Sequence, residues 1–193
     1  MGTEKALLPW PPGSTSAGQT FLSAAIEALS PFNDLVIVVA GNNEDSLAPV
    51  AYAAGAFVVR NPAPERGQFS SLQVGLHEVL NRGRDAAMIT LVDRPPLGTP
   101  TLAALLTTFE TAIAQGKWAV VPEYGGKHGH PILAGREMIE AFLRAPASAT
   151  AREIEHLSLE HIQYAPVEDP RVAINVNTPE EYATLGSSQV PSK

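Results

Sequence analysis

Four short apolar runs, Leu35 to Ala40, Ala56 to Val59, Ala86 to Val92 and Trp118 to Val121, alternate with longer stretches whose apolar residues recur at helical spacing. No other feature restricts the architecture as much. An uninterrupted apolar run has no polar face to offer water, so it reads as a strand covered on both sides, the habit of parallel sheets. Helices must supply those covers, with right-handed crossovers between parallel neighbours. The first helical stretch offers Phe21, Leu22, Ala25, Ile26 and Leu29 as a core stripe. The third offers Leu72, Leu76, Val79 and Leu80, and the fourth Leu102, Leu105, Leu106, Phe109 and Ile113. Thr99-Pro100 reads as a cap followed by a proline at the first helical position. Thr150 with Glu153, and Thr178 with Glu181, read as capping boxes. The expectation is an α/β fold with a mostly parallel sheet, a single domain over residues 1–185, and a frayed polar tail at 186–193.

Composition removes several function classes. The chain of 193 residues has no Cys, which excludes disulfides, thiolate metal sites and cysteine nucleophiles, and agrees with a reducing cytoplasm. Lys plus Arg number 13 against 20 Asp plus Glu, and no basic cluster stands out, so nucleic acid is not an expected partner. No apolar run approaches the ~18 residues that a membrane span needs, and Pro9, Pro11 and Pro12 interrupt the start of the chain where a signal peptide would be apolar. Met1-Gly2 opens like a myristoylation motif, but Ala6 stands where that motif needs Ser or Thr. A cytoplasmic protein without a membrane partner is expected.

Chemistry has to come from the loops. Asp93 stands where the third apolar run ends, before Arg94-Pro95-Pro96. Ligands of parallel sheets gather at the carboxyl ends of strands, so a carboxylate there either holds a cation or closes a turn. The prolines keep the chain after it from continuing as strand or helix. Between the second run and the third helix, Gly67 lets backbone approach a ligand. Ser70 or Ser71 is either an ordinary cap or part of an anion or base site at a helix start. Glu123 to Pro131 is a glycine-rich loop carrying Lys127, His128 and His130. It can wrap a ligand or be a solvated turn, and without cysteines two histidines make a poor zinc site. Val172 to Val176 reads as a short strand leading to Asn177, which is either a turn residue or a ligand that joins a carboxylate in holding Mg²⁺. Neither the Walker-type phosphate loop nor the dinucleotide glycine fingerprint is present.

Taken in order, Gly2-x-x-Lys5-Ala6-Leu7-Leu8-Pro9-Trp10, Gly67 to Gly75, Asp93-Arg94-Pro95-Pro96, Gly129-His130-Pro131 and Asn177-Thr178-Pro179-Glu180 resemble the motifs of the MobA-like nucleotidyltransferases, and within them the molybdenum cofactor cytidylyltransferases. The resemblance spans nearly the whole chain. It implies a three-layer α/β/α sandwich with a Rossmann-like sheet, of the nucleotide-diphospho-sugar transferase type. It also implies transfer of a nucleoside monophosphate from CTP or GTP to molybdopterin or a related phosphorylated acceptor, with release of pyrophosphate and a molybdoenzyme as downstream partner. Position by position, Gly2 and Lys5 would meet the triphosphate, and Asp93 would hold Mg²⁺ with Asn177 in place of the Asp often found there. Gly67, Ser70, Ser71 and Gly75 would line the nucleotide, while Gly129 and His130 would face the acceptor. Such transfer depends on positioning and charge neutralisation more than on covalent work by the protein. Alternatives are transfer to a sugar or polyol phosphate, or a module that binds a nucleotide or cofactor without turnover.

The family opens with a strand and a loop of the form Leu-Ala-Ala-Gly-x-Ser-x-Arg-Met-Gly, and this sequence starts at the final Met-Gly. The expectation is that Met1 is an internal methionine, with roughly 12 to 18 further residues upstream, about a strand plus a tight loop. Loss of that strand would leave unpaired backbone groups on both neighbours.

Overall fold

The computed structural model describes residues 4–14, 18–146 and 148–187. The elements in chain order are α1 (Phe21–Leu29), β1 (Ile37–Ala40), α2 (Glu44–Ala53), β2 (Phe57–Arg60), α3 (Gln68–Asn81), β3 (Ala86–Ile89), α4 (Thr99–Ala114) and β4 (Ala119–Tyr124). They continue with β5 (Lys127–His128), β6 (Ile132–Gly135), α5 (Arg136–Arg144), α6 (Ala151–Leu157), β7 (Ile162–Pro166) and α7 (Pro179–Ser187). The fold is a mixed α/β sandwich.

β4 shows why an all-apolar run must lie in the middle layer. Ala119 and Val121 point into a core with Phe69 and Leu76 of α3 and Met138, Ile139 and Phe142 of α5. The intervening Val120 points the other way, into a second core with Leu105 and Ala112 of α4. β6 alternates likewise, Ile132 and Ala134 on one side and Leu133 on the other. Each of the larger side chains among these, the Val, Leu, Ile, Met and Phe residues, contributes about 1.5–3 kcal/mol when removed fully from water. A third core joins Leu22 and Ile26 of α1, Leu47 and Ala51 of α2 and Ala40 of β1.

The sheet is in two pieces. β1 pairs in parallel with β2. β6 lies between β3 and β4 and is antiparallel to both, while β7 runs parallel to β4. Thus β3, β4 and β7 share one direction, while β6 and the short β5 run the other way, a reversal that the expected pattern of crossovers lacked. Helix α3 packs on β1, β2 and β3, and the ion pair of Arg84 with Asp34, 2.6 Å, joins the chain just before β3 to the chain just before β1. Among the described residues, however, no strand is hydrogen-bonded between β1 and β3. Burial records the break: β4 is buried over Ala119 to Pro122 and β6 throughout, whereas the equally apolar β1 and β3 are mostly half-buried.

Several local expectations are corrected. The third apolar run pairs only to Ile89 and not to Val92. The glycine-rich segment is not an open wrap: β4 and β5 form a hairpin closed by Gly125 and Gly126, whose φ values of 55° and 74° suit a two-residue turn that favours glycine. The segment read as a strand at Val172 to Val176 begins as a 3-10 turn, Pro170–Ala173, capped by the Asp169 carboxylate, which accepts from the Arg171 amide. Gly98 rather than Thr99 caps α4. Both expected capping boxes form, at Thr150 with Glu153 and at Thr178 with Glu181. Helix α7 continues to Ser187, past the expected domain end at 185; residues 188–193 of the tail lie outside the described residues, as does Gly2.

Candidate functional site

The carboxyl end of β3 leads through Thr90, Leu91 and Val92 into the Asp93 loop. Its start is closed by the Arg94 amide, which donates to the Leu91 carbonyl at 3.1 Å; its prolines donate no amide hydrogen, so groups from elsewhere in the chain hold the rest. The Val176 amide donates to the Asp93 carbonyl at 2.9 Å, and the Arg94 guanidinium donates through Nη1 to the Ile174 carbonyl at 3.0 Å. Asn177 therefore stands one residue beyond a direct main-chain bond to Asp93. It is exposed, and its amide donates to the Glu181 carboxylate at 2.6 Å, so its position is tied to the start of α7.

Lys5 comes to the same place from the other end of the chain. It opens a 3-10 turn, Lys5–Leu7, and a small cleft is walled by Lys5, Leu8, Phe21, Val92, Asp93, Val176 and Tyr182. Bonds fix this turn: Glu4 accepts from the Asn43 amide, Leu8 accepts from the Phe21 amide at 2.8 Å, and the Tyr182 hydroxyl donates to the Pro9 carbonyl. Trp10 and Tyr182 both lie against Phe21, with ring centroids 5.0 and 6.5 Å away. The sequence motifs at Lys5, Asp93 and Asn177 are thus brought to one rim.

The Asp93 side chain bears on metal binding. Its Oδ1 is buried and has no hydrogen-bond partner, a state that ordinarily costs about 1–3 kcal/mol, more for a charged group. A cation would relieve that cost, so the residue fits a ligand role. Among the described residues no three His, Asp or Glu side chains gather as a cation site. A cation here would have few protein ligands and would depend on water and phosphate oxygens, as Mg²⁺ commonly does.

Gly129 and His130 lie just before β6 and meet the segment that leads to Asn177. The His130 amide donates to the Val172 carbonyl at 3.0 Å. A Cβ at Gly129 would lie 2.1 Å from the same oxygen, so only glycine lets the two segments meet. Burial, with the nearby Arg94 charge, pushes the His130 imidazole down to about 4, so it is neutral at physiological pH. Its Nδ1 and the Arg94 Nε are buried without partners. Both side chains line a second cavity with Thr90, Leu97 and Leu102 beneath Ala25 and Leu29 of α1. His128 is elsewhere: it stacks on Tyr164 at 4.0 Å and faces Glu123 at 3.4 Å. The two histidines have separate surroundings, which removes them as a zinc pair.

The entry to α3 differs from expectation. Ser70 is buried, donating its hydroxyl to the Gly67 carbonyl at 2.7 Å and accepting from the buried Asn61 amide at 2.8 Å. Asn61 also donates to the Ser71 hydroxyl at 3.0 Å. Ser70 is accordingly a brace of the loop and not a surface for a base. Gly75, also expected to line the nucleotide, lies within α3, where a Cβ would come within 2.9 Å of Val39 Cγ2; its smallness serves helix–strand packing. Gly67, with φ 88°, remains at the turn before α3, and Ser71 is only half-buried.

Sequence reasoning passed over Asn61, Asp169 and Arg171. Burial alone would raise the Asp169 carboxyl, but the forked bonds from Arg171 and the Thr101 hydroxyl outweigh it and hold it below the usual carboxylate range. The only hint in the sequence was the pairing Asp169-Pro170-Arg171, which also occurs in ordinary turns.

A family model described as the MobA-like NTP transferase domain matches residues 1–166. The chain is 22% identical over 189 residues to the molybdenum cofactor cytidylyltransferase of Escherichia coli (strain K12), covering 95% of this chain and 88% of that protein. The crystal structure of Rv0371c from Mycobacterium tuberculosis H37Rv superposes with a TM-score of 0.74 at 22% identity, covering 97% of this chain and 92% of that one. A complex of Rv0371c with manganese gives 0.73 at 22% identity, covering 95% and 91%.

Proposed function

Because the chain belongs to the MobA-like NTP transferase family, whose members are nucleotidyltransferases, we propose that it moves a nucleoside monophosphate from CTP or GTP to molybdopterin or a related phosphorylated acceptor. An acceptor phosphate oxygen would attack the α-phosphorus, the bond from that phosphorus to the bridging oxygen would break, and pyrophosphate would leave with the electron pair. The observation that carries the reading is the buried, unpartnered Oδ1 of Asp93 at a rim shared with Lys5 and the segment leading to Asn177.

Asp93 and Asn177 would hold a divalent cation, which we take to be Mg²⁺; when bound, it would neutralise charge building on the phosphate oxygens. Lys5 would add a positive charge toward the triphosphate, and the turn at Gly67 with Ser71 would border the nucleoside. His130, being neutral, would orient an acceptor by hydrogen bonding and add no charge. Arg94 sits beside it with the formal charge that an acceptor phosphate requires. Among the described residues no helix is long and apolar enough to cross a membrane, and the reading places the chain in the cytoplasm, with a molybdoenzyme as recipient of the product.

The test is pyrophosphate release with CTP or GTP, Mg²⁺ and a panel of pterin, sugar and polyol phosphates, comparing wild type with Asp93→Ala. Removing a charge-positioning ligand should lower kcat/KM by about a hundredfold or more, without lowering Tm, since the lost oxygen had no partner. Wild-type turnover in the variant would rule the proposal out. A second reading, nucleotide binding without turnover, is favoured by the break in the sheet between β1 and β3; calorimetric binding of CTP or GTP with no pyrophosphate from any acceptor would select it.

A further inference from the structure

We propose that Arg171 is a positioning residue for this rim: locked to Asp169, it holds the loop from Asp93 to Gly98 against the segment leading to Asn177, and thereby sets how tightly a divalent cation binds. The inference rests on the proposed reading of Asp93 and Asn177 as cation ligands.

Past the turn bond from the Arg94 amide to the Leu91 carbonyl, at 3.1 Å, the loop has little of its own to hold it. Pro95 and Pro96 have no amide hydrogens, so their stretch makes no turn bonds of its own, and the Pro96 carbonyl needs a donor from outside. Arg171 supplies it from Nη1 at 3.3 Å. The guanidinium also lies close against Gly98, where a Cβ would stand 3.2 Å from Nη2.

What makes Arg171 a fixed point is Asp169, whose side chain is only 10% exposed. Its Oδ1 accepts from the Arg171 amide at 3.0 Å and from Nε at 2.9 Å, and its Oδ2 accepts from Nη2 at 2.7 Å and from the Thr101 hydroxyl at 3.0 Å. The two-pronged pairing fixes the plane of the guanidinium and so aims Nη1. Thr101 carries the same lock into the first turn of α4. Five residues further on, the Val176 amide closes the other end of the loop on Asp93. Residues 169–176 therefore run as a splint along the loop, fastened at both ends, with Val172 fully buried between it and the Gly129-His130 turn. With the Arg171 side chain itself 42% exposed, the ion pair adds little stability; its role is orientation. Lysine gathers its donors on one nitrogen, so it cannot reproduce the fork that holds both Asp169 oxygens and reaches Pro96 from three separate nitrogens.

The test uses the full chain without nucleotide, titrated with MnCl₂ alone, with free Mn²⁺ read by electron paramagnetic resonance. Exchange of the Val176 amide in the metal-free protein is followed in parallel. Arg171→Ala should bind Mn²⁺ about tenfold more weakly, the scale seen when groups that orient metal ligands are removed, and its Val176 amide should exchange faster. Arg171→Lys should not restore either property. Lys117→Ala, which removes a bond from Nζ to the Glu160 carbonyl of 2.8 Å at the opposite end of β4, should leave both unchanged. The proposal is overturned if Arg171→Ala matches wild type in both measurements, or if Lys117→Ala shifts them as much. Should the wild type bind no Mn²⁺, the cation reading fails on its own, and Val176 exchange alone then decides whether Arg171 holds the loop.

Discussion

His130 offers a quantitative check on how the rim is packed. Burial and the Arg94 charge lower its imidazole from 6.5 to about 4, so in this range the unfolded chain binds a proton that the folded one refuses. Stability from this residue is therefore complete above about pH 6.5 and drains away as pH falls toward the folded value, the sign expected of a depressed pKa. At about 1.4 kcal/mol for each pH unit between the two values, the ceiling is about 3 kcal/mol, of which about 2 kcal/mol would be gone by about pH 5. That is a large share of the roughly 5–15 kcal/mol by which a domain is stable. Urea unfolding of wild type and His130→Gln at about pH 7.5 and about pH 5 isolates the effect, because all other titrating groups cancel in the difference. Wild type should lose about 2 kcal/mol more than the variant over that drop. Parallel losses in the two proteins would mean that His130 is open to solvent, and the packing of the Gly129-His130 turn against Val172 and Arg94 would have to be abandoned.

Two further outcomes follow from packing. Gly129→Ala would drive a methyl into the Val172 carbonyl, and should cost about 3 kcal/mol or more, read as a fall in Tm of about 6 °C or more for a chain of this size; a neutral substitution would contradict the close approach of the two segments. In hydrogen exchange, amides of β1 and β3 should be less protected than those of β4 and β6, because one side of each lacks a strand partner among the described residues; equal protection across all four would show that the two pieces act as one continuous sheet.

The sequence exposed those parts of the fold that depend on local pattern. Apolar runs announced β1 to β4 because a strand covered on both faces has no polar side to disguise it. Thr150 with Glu153 and Thr178 with Glu181 announced helix starts because a capping box is complete within four residues. Less was legible where partners are distant in the chain. The reversed strand β6 is as apolar as its neighbours, and nothing in Ile132-Leu133-Ala134-Gly135 states its direction; that comes from the hairpin turn at Gly125 and Gly126. Ser70 looked like a ligand-facing cap because Asn61, the group that claims its hydroxyl, is nine residues earlier. Gly75 looked like part of the nucleotide site because Val39, whose Cγ2 it makes room for, lies in β1, far earlier in the chain.

Residue order alone therefore determined the class of fold and the family, and it singled out by type and motif the groups proposed to do the chemistry, Lys5, Asp93, His130 and Asn177. Only the folded chain decided which of them share a rim, that Asp93 carries an unpartnered buried oxygen, that His130 is neutral, and that Arg171 braces the loop. The physical reason is range. Periodicity and capping are settled within one or two turns of backbone. Desolvation and hydrogen-bond partnership are instead set by whatever the rest of the chain brings alongside: Lys5, Asp93 and the segment leading to Asn177 meet, and His130 comes to lie beside Arg94 and Val172, only after the sheet and its covering helices have assembled.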